Sequence, residues 1–92
     1  MAVKIILPLT LMPVTGWQKE IEVQASNLME ALEALIERFG DELRGRLFEG
    51  EGKPRRFLNF YVNGKNVRFL RGLETPLRDG DEVTILPSVS GG

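Results

Sequence analysis

Neither cysteine nor histidine occurs among the 92 residues. Their absence rules out disulfides, thiolate or imidazole metal sites, and any nucleophile paired with a histidine base. An excess of one charge is also missing. Twelve Lys and Arg stand against 13 Asp and Glu, a net −1, so no global field draws the chain to nucleic acid or to an anionic membrane. The opening MAVKIILPLTLMPV is apolar but interrupted by Pro8 and Pro13. It falls short of the roughly 18 apolar residues of a membrane span and has no small-residue cleavage site behind a charged start. A cytoplasmic location is the expectation.

The hydrophobic share of 42% and the charged share of 27% are those of an ordinary globular domain. A chain of this length buries roughly 60–65% of its unfolded surface, enough for one modest core without staples. Residues 2–9, AVKIILPL, read as a strand with Val3, Ile5 and Leu7 on one face and Lys4 and Ile6 on the other. TLMPVTG reads as a connection punctuated by Pro13 and Gly16, and WQKEIEVQA as a second strand, antiparallel to the first. In SNLMEALEALIERFG, Leu28, Leu32, Leu35, Ile36 and Phe39 recur at helical spacing. Asn27 is placed as the N-cap, Glu30 as its capping-box partner and Gly40 as the stop.

RFLNFYVNGKNVRFL is a strand–turn–strand pattern in which Asn63-Gly64 supplies the positive φ angles of a type I′ turn. Leu58, Phe60 and Val62 alternate against Phe57, Asn59 and Tyr61. EVTIL forms the last strand, ended by Pro87. With the helix as a crossover, the last strand returns beside the first in parallel, which gives an α+β roll with one helix on one sheet face. The other face then carries Ile6, Tyr61, Phe57 and Leu86, a candidate partner surface if they are contiguous.

Two chemical readings are set aside. Glu30, Glu33 and Glu37 lie off the apolar stripe, where a solvated helix face explains them better than acid/base work does. GEGKPRR is no phosphate loop, because Leu47 replaces the first glycine and Pro54 follows the lysine. Lys53, Arg55 and Arg56 have Glu49 and Glu51 beside them, so the stretch reads as a flexible mixed-charge loop rather than a nucleic-acid patch.

The element order, together with NFYVNG, DGDEVTILP and a terminal SGG, resembles the ubiquitin-like β-grasp fold and, within it, the MoaD/ThiS family of sulfur carriers. The match is densest from Arg56 to Gly92. Ser88 and Ser90 stand where such tails more often carry proline or alanine, and Trp17 has no counterpart in the family pattern. The resemblance implies a β-grasp domain over residues 1–87 and a flexible carrier tail over 88–92. It also implies no catalytic residues and no bound cofactor.

In such carriers an E1-like adenylyltransferase/sulfurtransferase uses ATP to adenylate the terminal carboxylate, here that of Gly92, and a sulfur donor converts it to a thiocarboxylate. Gly91, Ser90 and Val89 then form the slim stalk that activation requires, since glycine lacks the Cβ that would block a narrow channel. Ile6, Phe57, Tyr61 and Leu86 become the docking surface. Within the family the pattern is nearest to carriers that serve cysteine synthesis. There the acceptor is a PLP-dependent cysteine synthase and a metalloprotease frees the product. Two other family roles stay open, the small subunit of molybdopterin synthase (with its large subunit as partner) and a ubiquitin-like protein modifier. So does a β-grasp interaction module without acyl chemistry.

Overall fold

The computed structural model describes residues 1–88. Strand β1 (Ala2–Ile6) pairs antiparallel with β2 (Glu20–Gln24), Ile5 opposite Ile21. Alternation decides the faces: Val3, Ile5, Ile21 and Val23 are buried, while Lys4, Glu20 and Glu22 are exposed. The connection between these strands is more ordered than its composition predicts. Leu9–Thr15 form a 3-10 helix that contains Pro13 and closes at Gly16. Proline's fixed φ of about −65° matches that of a 3-10 turn, at the cost of one N–H donor.

Helix α1 (Leu28–Phe39) packs its apolar stripe on the inner sheet face, with Leu28, Leu32, Leu35 and Ile36 buried and Phe39 partly so. Its start differs in one respect from a standard capping box. Asn27 accepts from the Glu30 N–H at 2.8 Å as expected, but the Glu30 carboxylate reaches past Asn27 to the Ser26 N–H (2.9 Å) and hydroxyl (2.7 Å). Those two hydrogen bonds, the side chain's before the backbone's, hold the Glu30 carboxyl below its ordinary 4.5.

Gly40 ends α1 and also caps α2 (Asp41–Leu47), which packs on α1 and on the 3-10 helix. The stretch from Asp41 to Arg56 reads in sequence as a long irregular connection with one short helical turn around Leu43 to Leu47, and the structure orders more of it than that. Leu43, Leu47 and Phe48 are buried, and β3 (Phe48–Gly50) pairs with β4 (Lys53–Pro54) in a small ribbon. Arg44 fixes α2 to α1 through Glu33 at 2.9 Å. Two residues of the basic run are engaged: Arg55 Nε donates to the Gly45 carbonyl, and the Arg56 backbone N–H donates to the Glu49 carboxylate.

Strand β5 (Leu58–Val62) turns at Asn63 and Gly64, with φ of 50° and 85°, as a type I′ turn requires. Its partner β6 is only Lys65–Asn66, not the longer strand expected from NVRFL. The Asn66 side chain accepts the Arg68 N–H at 2.8 Å and draws Val67–Phe69 into a 3-10 turn, a local bond that displaces the ladder. Strand β7 (Glu82–Pro87) completes the main sheet in the order β2-β1-β7-β5-β6, parallel to β1 and antiparallel to β5. The core lies between this sheet's inner face and the two helices. At the outer edge of β2, Arg38 from α1 donates to the Glu22 carbonyl at 3.2 Å.

Asn27→Ala is expected to lower unfolding free energy by about 1 kcal/mol in denaturant melts. The carboxyl of Glu30 is lowered on folding, so its stabilising contribution is present above pH 4.5 and is lost as pH falls through the lower folded value. The stability gap between wild type and Glu30→Gln should accordingly close on acidification. A gap that widened would contradict the assigned bonds.

Candidate functional site

Gly92, Gly91, Ser90 and Val89 lie outside the described residues, and with them the expectation of a flexible tail. What the structure defines is the root from which that tail leaves. Pro87 is opposite Leu58 in the ladder, and the Ser88 N–H donates to the Phe57 carbonyl, so pairing continues one residue past the proline. β1 and β7 run in parallel, hence the tail leaves from the sheet end where β1 enters the 3-10 helix.

The outward sheet face leads to this root. Register sets Ile6 beside Thr84 and Thr84 beside Tyr61, with Asn59 opposite Leu86 one step closer to the tail. Adjacent strands lie about 4.8 Å apart, so these side chains form one continuous surface rather than isolated apolar residues. Ile6 and Tyr61 are half-buried, Leu86 is 44% exposed and Phe57, just before β5, is 66% exposed. The four residues singled out from alternation thus share the outer face, with Phe57 and Leu86 toward the tail root and Ile6 and Tyr61 flanking Thr84 farther from it.

Two further residues at that end read in the sequence as strand residues, Leu9 closing the first strand and Trp17 opening the second. Leu9 is 71% exposed and Trp17 63% exposed. Their prominence comes from the 3-10 helix and the turn after it, which the sequence pattern did not distinguish from a loop.

The chemistry available on the body is limited. Among the described residues, no group of three Asp or Glu is placed to hold a metal ion. Glu30, Glu33 and Glu37 do not form a paired acid/base site: Glu30 caps α1, Glu33 bonds Arg44, and Glu37 is exposed. Asp79 and Asp81 serve the opposite pole, where Asp79 accepts from the Ala2 N–H and Asp81 from Asn63 and the Arg78 N–H. A groove of about 440 Å³ flanks β5 on its β6 side, floored in part by Leu58, Val67 and Leu73 and edged by Arg55, Arg56 and Arg68. No helix among the described residues is long and apolar enough to cross a membrane.

A five-stranded mixed sheet whose first and last strands pair in parallel, with one main helix packed across it, defines a ubiquitin-like β-grasp protein. The ThiS family model matches residues 5–92, and the chain belongs to that family. It is 40% identical to the sulfur carrier protein CysO of Mycobacterium tuberculosis over 94 residues, covering all of both chains. The crystal structure of that protein superposes with a TM-score of 0.86, covering 95% of this chain and 99% of the other. CysO in the Amycolatopsis orientalis BexX/CysO complex is 39% identical, with a TM-score of 0.84 over 99% of this chain and 100% of the other. Small archaeal modifier protein 1 of Methanosarcina acetivorans is 33% identical, with a TM-score of 0.86 over 99% and 96%. The MoaD/ThiS resemblance and the β-grasp expectation are both shown by these matches.

Polar substitution of Phe57 or Leu86 should change unfolding free energy by less than about 0.5 kcal/mol, since neither side chain is in the core. Ile85→Ala, one residue away on the buried face, should cost about 3 kcal/mol. Equal losses at Leu86 and Ile85 would contradict the assigned faces.

Proposed function

We propose that the chain is a sulfur carrier that works as a protein substrate and has no catalytic residues of its own. The observation that carries this reading is the family match running through Gly92, on a body whose last strand is anchored up to Ser88. A carboxylate is a poor electrophile. An E1-like enzyme overcomes this by joining the Gly92 carboxylate to the α-phosphate of ATP, with loss of pyrophosphate. A sulfur donor then displaces AMP to leave the thiocarboxylate. Gly91, Ser90 and Val89 thread the terminus into the enzyme, while Ile6, Phe57, Tyr61 and Leu86 dock the body.

The identity to CysO supports cysteine synthesis as the destination of the sulfur. A PLP-dependent cysteine synthase would accept it, and a metalloprotease would release cysteine from the carrier. The BexX/CysO complex supports the general point that carriers of this kind work bound to other proteins. A second reading, conjugation of Gly92 to lysines, is favoured by the likeness to the Methanosarcina modifier protein. That role leaves isopeptide-linked conjugates in cells, whereas the carrier role leaves none.

Intact mass after incubation with ATP, a sulfur donor and the host's activating enzyme should show one oxygen exchanged for sulfur, confined to Gly92. Deletion of Gly92, or Gly91→Trp, should abolish the exchange and leave the thermal midpoint unchanged. Normal exchange in the Gly92-deleted chain would overturn the mechanism. Charge substitutions at Ile6, Tyr61 and Leu86 should raise the KM for activation, and unchanged kinetics would remove that face from the proposal.

A further inference from the structure

The exposed apolar side chains at the tail end of the body extend beyond the sheet face. Leu9 stands at the start of the 3-10 helix, three residues after β1 ends, and Trp17 lies just before β2. The Leu7 N–H donates to the Lys19 carbonyl at 2.8 Å, so the two chain segments stay paired up to this point and both side chains lie at the pole from which β7 releases the tail. In sheet order the pole is β2, β1, β7, β5. The strands that Trp17 and Phe57 precede, β2 and β5, are three interstrand spacings apart, about 14 Å.

Trp17 is also held in an unfavourable backbone conformation. Its φ is 63°, directly after Gly16 at 66°, and a bulky side chain rarely adopts a positive φ. The surroundings fix it there. The Trp17 N–H donates to the Met12 carbonyl at 2.8 Å and the Gln18 N–H to the Thr15 carbonyl, while the buried Thr15 hydroxyl lies 3.2 Å from the carbonyls of Met12 and Gln18. Strain of this kind persists where neighbouring structure over-determines it, and it marks positions with a task. Burial of the indole is not that task, because 63% of the residue is exposed.

We infer that Leu9 and Trp17, with Phe57 and Leu86, form an apolar rim around the tail root that seats on the lip of the activating enzyme's channel. This rests on the sulfur-carrier reading above. The occupant follows from reach. The four residues from Val89 to Gly92 span at most about 14 Å when fully extended. An enzyme that brings the Gly92 carboxylate to ATP must therefore approach Ser88 to within that distance, and it meets this pole of the body. Tryptophan is enriched among the few residues that carry most of the binding at protein contacts. Trp17 thereby acts in recognition of the partner, and the adenylation chemistry does not involve it.

The test measures activation kinetics of full-length Trp17→Asn and Leu9→Ser with the host's E1-like enzyme, ATP and a sulfur donor. Asparagine tolerates a positive φ, so Trp17→Asn should keep or raise the thermal midpoint. Its KM should rise about tenfold with kcat unchanged, and Leu9→Ser should move KM in the same direction. The chain has a single Trp, so 5-fluorotryptophan labelling places one ¹⁹F signal at the rim, and that signal should shift when the unlabelled enzyme is added. KM values within twofold of wild type together with an unmoved ¹⁹F signal would overturn the rim while leaving the carrier function standing. Absence of thiocarboxylate on the wild-type chain would overturn both.

Discussion

The parallel pairing of β1 with β7 is the constraint on which the rest of the structure depends. It joins the first strand to the last at the centre of the sheet, with Ile5 and Val83 side by side and wholly buried. Parallel neighbours require a crossover, and α1 lies on the inner face between them. Once this pair is set, β2 and β5 can add only on its flanks, antiparallel, and the direction in which β7 leaves the sheet is fixed. The position of the tail root is thus a consequence of topology, and no local sequence signal could specify it alone.

The same pairing separates two kinds of work. The inner face of β1, β2, β5 and β7 is committed to α1 and α2, so single truncations there act on stability. The outer face contributes little to the core. Its half-exposed Ile6, Tyr61 and Leu86 are free to be selected for contact with another protein. Hydrogen bonds at the far pole hold the other end of the sheet, where Lys4 and Gly80 donate to the carbonyls of Asp81 and Ala2. A carrier that passes between enzymes gains from this arrangement, because docking at one pole need not disturb the anchoring at the other.

Much of this was legible in the residues. Period-two alternation placed Val3, Ile5, Val83 and Ile85 in the core, the leucine stripe marked α1, and Asn63-Gly64 fixed the hairpin turn. Elsewhere short-range bonds and tertiary contacts outweighed pattern. Leu43 and Leu47 make a single i,i+4 pair, too short a run to separate helix from loop until α1 is there to cover it. NVRFL has strand composition, but the Asn66 side chain captures the Arg68 N–H and ends β6 early. Pro13 suggested a break, whereas the 3-10 helix that accommodates it starts at Leu9 and leads through Gly16 into the turn that carries Trp17. Of the candidate site, the terminal glycines were readable only in the sequence, Phe57 and Leu86 in both, and the prominence of Leu9 and Trp17 only in the structure.

One side-chain contact at the opposite side of the sheet has a consequence for life at high concentration. Strand β2 is an edge, and an uncovered edge offers a template to any extended chain it meets. The Arg38 guanidinium occupies the Glu22 carbonyl, and the exposed carboxylates of Glu20 and Glu22 line the same strand. An incoming strand must displace a charged group and accept like charges nearby, which blunts the edge against amyloid-like stacking. Self-association through this edge is thereby discouraged.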